Sequence, residues 1–210
     1  ARGADATLLL AQALEDCTAA TARGALAGAP VLTRAEVRML RARLGERAGV
    51  DPRPELAQAD AELVEALASN PGDALLRYRH GEVLAALATV ESEAGIDSRV
   101  RFRKALEQID GAREVALARE SGALVLLDLA DAEARQQVDP RATLRQAVAI
   151  LDECVRATPS DAGLLNNRAL ARGKLADAKA QQGEDPALEE RDALADLDAA
   201  LLLQPGIAAI

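Results

Sequence analysis

Small and apolar side chains recur along this chain at spacings of four and seven residues, which return to one side of an α-helix. The clearest runs start at an alanine and continue with an apolar residue four positions later and a small residue seven positions later. Five such runs begin at Ala13, Ala59, Ala105, Ala147 and Ala193. We expect these stripes to be buried. Both cysteines, Cys17 and Cys154, fall in them and are expected in the core.

An aspartate precedes each of these alanines by eight residues, and successive aspartates are 46, 46, 42 and 46 residues apart. Aspartate is a favoured helix N-cap because its carboxylate accepts hydrogen bonds from the first unpaired backbone N–H groups. A proline follows three of the five directly, at the first helical position, where a missing N–H has no cost. We therefore predict helix starts at Asp5, Asp51, Asp97, Asp139 and Asp185.

Proline and glycine mark where helices end. Pro71, Pro159 and Pro205 each follow an alanine of the stripe by twelve residues and close a helix, and Gly95 and Gly183 have the spacing of C-caps. The pattern predicts an all-α chain of nine helices. Their expected ranges are 6–27, 33–48, 54–69, 73–94, 98–119, 121–137, 140–157, 161–182 and 186–203.

The chain repeats itself internally. Residues 51–97 align without a gap on residues 139–185, with 17 of 47 positions identical. The repeating unit is a pair of helices: a first-type helix, then a second-type helix that begins after an aspartate and carries the stripe. Because one pair cannot bury its apolar face alone, we expect the pairs to stack as one repeat domain over residues 1–210.

The stripe of alanine, apolar residue, small residue and proline resembles the second helix of the tetratricopeptide repeat. The segments NPGDALLRYRHGEVLAAL and TPSDAGLLNNRALARGKL are similar to that family's inter-repeat turn and first helix. Units of 42 to 46 residues are longer than the family's 34, so this would be a long-helix variant, and most of the family's aromatic positions hold Leu, Val or Ala. The resemblance implies an α-α superhelix, or solenoid, of antiparallel helix pairs.

The resemblance also implies a concave groove lined by first-type helices, where a peptide or partner protein would bind. Its positions fall on six residues: Tyr78, Arg79, Glu82, Asn166, Asn167 and Leu170. Asparagine and arginine there could hold a peptide backbone or a carboxylate by directional hydrogen bonds. The alternative for each residue is an ordinary exposed helix position.

The charge and the apolar stretches of the chain argue against two classes of partner, nucleic acids and the membrane interior. A net charge of −9 and the lack of a basic stripe argue against nucleic-acid binding. No apolar stretch approaches the roughly 20 residues of a membrane helix. We expect a cytoplasmic protein, with an upstream signal peptide or anchor left open because the chain begins at Ala1 rather than at methionine.

Catalytic or metal chemistry has little support in the sequence. There is no Gly-rich phosphate loop, and the single histidine, His80, has no nucleophile or ligand set at suitable spacing, so we expect it on the surface or in the groove. A disulfide or reactive thiol is the alternative for the two cysteines. We predict a non-enzyme without cofactor or metal.

Three functional hypotheses follow. The first is an interaction scaffold that binds a peptide or protein. The second is the regulatory C-terminal repeat domain of a larger bacterial signalling protein, such as a Ser/Thr kinase, suggested by the Ala- and Arg-rich composition and by a first helix that lacks a first-type partner. The third is a structural module that self-associates through the ends of the solenoid.

Overall fold

A computed structural model of the chain describes residues 2–22 and 28–204, with side chains over 8–20 and 29–204. In this described part the chain is all-helical, without strands. The nine helices are α1 (Arg2–Ala22), α2 (Gly28–Arg47), α3 (Arg53–Ser69), α4 (Ala74–Glu93), α5 (Arg99–Asp110), α6 (Ala118–Arg135), α7 (Arg141–Ala157), α8 (Ala162–Gln181) and α9 (Ala187–Leu203).

The chain divides into two compact units, Ala1–Val115 and Ala116–Ile210. In the first unit each helix from α1 to α5 packs against the next, and the two first-type helices α2 and α4 also touch. In the second unit α6 to α9 pack in the same order, and the first-type helices α6 and α8 touch. Consecutive packing of helix pairs confirms the repeat-like arrangement within each unit.

The predicted stripe lies in the core on α3, α5 and α7, but the prediction fails in part on the outer helices: Leu197 of α9 is exposed, and Ala13 and Cys17 of α1 are half-buried. Ala59 and Leu63 of α3 and Ala147 and Leu151 of α7 are completely buried, and Ala105 of α5 is as well. Burial of Leu side chains contributes about 1.5–3 kcal/mol each. The buried part of the stripe therefore contributes to the cohesion between neighbouring helices.

Four of the five predicted aspartates bind a backbone N–H group at a helix start, but each stands one position before the N-cap residue, which is Pro52, Ser98, Pro140 or Pro186. The Asp51 carboxylate accepts a hydrogen bond from the backbone N–H of Arg53 at 3.0 Å, and Asp97, Asp139 and Asp185 accept from the residue two positions on in the same way. Pro52 already has helical dihedral angles of −78° and −16°. The fifth cap is wrong, because α1 begins at Arg2 and Asp5 lies inside it.

Each turn from a first-type to a second-type helix closes in the same way. The N–H groups of Val50, Ile96, Val138 and Glu184 each donate to the carbonyl five residues earlier, at 2.8–2.9 Å. The residue before each donor has a positive φ, between 57° and 78°: three times glycine, and once Gln137. This is the hydrogen-bond pattern of a Schellman C-cap.

Two predicted helix boundaries differ from the structure by five residues or more. Helix α5 ends at Asp110, nine residues before the predicted end, and short-range hydrogen bonds hold residues 111–115 as turns. Gly111 disfavours helix by roughly 1 kcal/mol relative to alanine. A side chain there would also meet the Arg77 guanidinium at 2.5 Å. Helix α2 begins at Gly28, so Pro30 lies in its first turn; the predicted end of α1 at 23–27 lies outside the described residues.

Candidate functional site

The first-type helices of the second unit form a continuous surface. Asn167 Nδ2 of α8 donates to Glu120 Oε1 of α6 at 2.9 Å, and Lys174 Nζ of α8 contacts Asp131 Oδ1 of α6 at 2.6 Å. These two bridges hold α6 and α8 side by side. We use the name α6–α8 face for eight residues of these helices, of which Asp128, Asn166 and Leu170 are exposed and the others half-buried: Glu120, Leu124, Asp128, Asp131, Asn166, Asn167, Leu170 and Lys174.

Three predicted groove residues lie on this face. Asn166 is exposed, and its side chain forms no hydrogen bond with any other described residue. Leu170, one turn further on, exposes 49% of its surface although it is a large apolar residue. Asn167 is half-buried and held by Glu120. An amide and an apolar side chain one helical turn apart can contact the backbone and a side chain of the same bound segment.

The electrostatics of the α6–α8 face are acidic. Glu120, Asp128 and Asp131 supply three carboxylates, against two cations: the Lys174 ammonium group, which is paired with Asp131, and the exposed Arg135 guanidinium one turn after Asp131. A surface of this sign favours ligands with Lys or Arg side chains.

The other predicted groove residues lie on α4 of the first unit. The Arg79 guanidinium lies between Glu82 of its own helix, at 2.7 Å, and Glu36 of α2, with which it also forms an ion pair. Its Nε is buried without a hydrogen-bond partner among the described residues. Tyr78 is only 6% exposed, so it offers little surface to a ligand, contrary to the expectation for a groove residue. Arg79 and Glu82 are already engaged with each other.

His80 is buried rather than exposed, which corrects the sequence-based expectation. Its Nε2 lies 2.8 Å from Asp60 Oδ1 of α3, and 8% of the residue is exposed. Nδ1 is buried and has no partner within the described part of the chain. The physical reason is the helix pairing: Asp60 is 20 residues away in sequence and reaches His80 only after α3 and α4 pack together.

A polar cluster that is absent from the sequence-based predictions lies inside the second unit. Arg168 and Arg172 of α8 both contact Asp196 of α9, at 2.5–2.9 Å and 2.7 Å, and both contact Asp152 of α7, at 2.9 and 3.1 Å. Asp196 is almost fully buried. Hydrogen bonding to Asp196 raises the pKa of Arg168 above its usual value. The arginines of α8 are thus held inside the unit.

The first unit has a matching cluster at the same repeat positions. Arg34 and Arg38 of α2 contact Glu62 of α3 at 2.7 and 2.9 Å, and Arg38 also contacts Glu55 at 3.0 Å. In both clusters the arginines precede the cap aspartate by 17 and 13 residues, and the acid follows it by 11. That shared spacing was the signal in the sequence that could have predicted the cluster.

The cysteines are half-buried rather than fully buried as expected. Burial raises the pKa of the Cys154 thiol, which disfavours the reactive thiolate. No group of three or more His, Cys, Asp or Glu side chains within the described ranges is arranged to hold a metal ion. Over the same residues, no helix combines the length and apolarity that crossing a membrane requires.

Comparison with known proteins gives no family. No protein-family model matches this chain, and no curated protein matches it either.

Proposed function

We propose that this chain is a non-catalytic interaction scaffold, related in design to tetratricopeptide repeats, which binds a peptide or a segment of a partner protein on the α6–α8 face. The observation that carries the proposal is the pair Asn166 and Leu170, exposed one turn apart beside a row of carboxylates. We propose a ligand segment that combines basic and apolar side chains.

The distribution of charge on α8 supports this choice of surface. Arg168 and Arg172 are bound internally to Asp152 and Asp196, so they do not offset the acidic side chains of α6. On the α2–α4 surface, by contrast, the carboxylates of Glu36 and Glu82 are both paired with the Arg79 guanidinium. The α6–α8 face is therefore the better candidate for a charged ligand.

The experiment is selection from a displayed library of random peptides about a dozen residues long, a length that an extended segment needs to follow two helices. We expect the selected peptides to be enriched in Lys or Arg together with Leu or aromatic residues. The affinity of one selected peptide is then measured by fluorescence polarisation. Asn166→Ala should weaken binding about threefold to tenfold, as expected for the loss of one hydrogen bond.

Two further variants locate the site. Leu170→Ala should lower the affinity of the same peptide by a similar factor, because apolar contact area is lost. Gln146→Ala is the matched control: this residue is exposed on the second-type helix α7 and should leave the affinity unchanged. Selected peptides that bind all variants equally, or selection that enriches no sequence, would contradict the proposal.

A further inference from the structure

Helix α9 exposes positions that are buried on the other second-type helices. Twelve residues after the cap aspartate, Leu63, Ile109 and Leu151 are 0%, 4% and 0% exposed, whereas Leu197 of α9 is 39% exposed. Sixteen residues after it, Val155 of α7 is 7% exposed and Leu201 of α9 is 44% exposed. Leu194, on the same side of α9, is exposed as well. Leu194, Leu197 and Leu201 form what we call the α9 stripe.

The covered counterpart shows what such a stripe packs against. Helix α7 packs against α8, the first-type helix that follows it. The contact includes Asp152 of α7, thirteen residues after its cap aspartate, which holds Arg168 and Arg172 of α8 at 2.9 and 3.1 Å. The corresponding residue of α9 is Asp198, which is exposed and has no ion-pair partner among the described residues.

A second acidic position matches in the same way. Eight residues before the cap aspartate, Asp131 of α6 holds Lys174 of α8 at 2.6 Å. The corresponding residue of α8 is Asp177, which is exposed and likewise unpaired within the described chain. Asp131 of α6 and Asp152 of α7 are thus the two acids that hold the cations of α8. Asp177 and Asp198 occupy the same two positions in the last helix pair.

We infer that the α9 stripe, with Asp177 and Asp198, is a docking surface for an amphipathic partner helix that has the charge pattern of α8. That pattern is an apolar stripe with two arginines four residues apart and a lysine two residues further on. The arginines would pair with Asp198 and the lysine with Asp177. A second copy of this chain fits poorly through the same surface, because two acidic stripes would repel each other.

The test uses the full chain and one defined probe. The probe is a labelled peptide of residues 162–181, held helical by a hydrocarbon staple that replaces Asn166 and Leu170, since a free helix of this length is marginal in water. We expect saturable binding. Asp198→Asn should weaken the binding roughly tenfold, the effect of losing a charge-assisted pair. Leu201→Asp should weaken it at least as much.

Controls separate this surface from other contacts. Leu188→Asp introduces the same change at an exposed leucine on the opposite side of α9 and should leave the affinity unchanged. A peptide with both arginines replaced by glutamine should bind weakly to the unaltered chain and be insensitive to Asp198→Asn. Failure of the α6–α8 face to bind peptides would not change these outcomes, because none of the altered residues lies on that face.

Three results would overturn the inference. One is no binding of the stapled peptide at concentrations up to about 1 mM, which corresponds to a binding free energy of only about 4 kcal/mol. Another is binding that Asp198→Asn and Leu201→Asp do not change. The third is light scattering that shows the chain alone to be a dimer that Leu201→Asp dissociates, because the occupant would then be a second copy.

Discussion

The helix pairs α4–α5 and α8–α9 lie 88 residues apart in the repeat, yet they fill the same positions with opposite chemistry. Where α8 has Arg168 and Arg172, α4 has His80 and Leu84. Where α9 has the buried Asp196, α5 has Gln108. Both pairs keep the aspartate cap, the alanine of the stripe and the glycine that closes the turn.

The comparison shows that the backbone of a helix pair depends on the stripe and the caps. Between them it accommodates either the charged cluster of α8–α9 or the mostly uncharged side chains of α4–α5. A buried ion cluster often contributes little net stability compared with apolar side chains of similar size, because desolvation offsets the attraction. Its geometry is more demanding, however. Arg168 and Arg172 both reach Asp196 in the observed register of α8 against α9, and a shift of register would separate these groups.

We expect the largest difference in stability between the two helix pairs when Asp196 is removed. Asp196→Ala leaves two arginines next to a buried site with Asp152 as their only remaining acid from the cluster, and we expect a loss of about 3 kcal/mol in the free energy of unfolding. Thermal unfolding should shift down by roughly 6–12 °C. Gln108→Ala, at the same position of α5, should change stability by no more than about 0.5 kcal/mol.

A triple variant sharpens that test. Arg168→His, Arg172→Leu and Asp196→Gln together give α8–α9 the residues of α4–α5. If the side chains of α4–α5 can replace the charged cluster at these three positions, the triple variant should be more stable in urea denaturation than Asp196→Ala alone. A triple variant as unstable as the single one would show that the cluster is essential to this pair.

A smaller effect concerns the close approach of α4 and α5. A Cβ atom on Gly81 would lie 2.5 Å from Ile109 Cγ1 and 3.0 Å from the Ala105 carbonyl oxygen. Gly81→Ala should therefore destabilise the chain by about 1–3 kcal/mol through overpacking, although alanine favours helix. Gly173→Ala of α8, which would meet nothing within 4 Å, should instead stabilise by up to about 1 kcal/mol. Chemical denaturation of both variants checks the sign; equal signs would contradict the packing argument.

The smallest expected effect on stability comes from the aspartates at the helix starts and depends on pH. Arg99 binds Asp97 at 2.7–2.8 Å and lowers the pKa of that carboxyl from 3.8 to about 2, whereas the corresponding residue after Asp185 is Ala187. A lowered carboxyl pKa stabilises the fold above the unfolded value and loses that effect as the pH falls through the folded value. The stability difference between wild type and Arg99→Ala should thus shrink from about pH 4 to pH 2.

NMR titration of the Asp97 carboxyl measures this directly. In Arg99→Ala the pKa of Asp97 should rise toward its usual 3.8. Arg103→Ala is the control, since Arg103 acts on Asp97 only through charge and is the weakest of the causes that lower this pKa. An unchanged midpoint in Arg99→Ala would show that the backbone cap alone lowers it.

The helices were predictable because their signals are local. Each cap aspartate and its stripe occupy about 16 residues of one helix, so the spacing in the sequence directly reflects one surface. The early end of α5 was missed because the alanine stripe continues to Ala112, which is buried beyond the helix end. The low helix propensity of Gly111 was the local signal for the early end, and it was outweighed by that continuing stripe.

The polar contacts were less predictable because they join separate helices. Whether His80 meets Asp60, or Arg168 meets Asp196, depends on which faces of two helices come together, and no single-helix pattern contains that information. Tyr78 was assigned to a groove by analogy, while its burial depends on how closely its neighbours pack. The two ion clusters, however, were predictable from the sequence, because the two arginines and the acid at Arg34, Arg38 and Glu62 recur at the same spacing in the second unit.

The turn that ends at Val138 has a consequence for how such arrays could grow. Gln137 adopts the left-handed conformation that glycine adopts in the other three turns, although that conformation costs a side-chain-bearing residue on the order of 1 kcal/mol. The handedness of the turn is therefore imposed by the two helices that it joins. A further helix pair joined by such a turn therefore need not carry glycine at this position, because the backbone shape of the linker is kept where its residue is not.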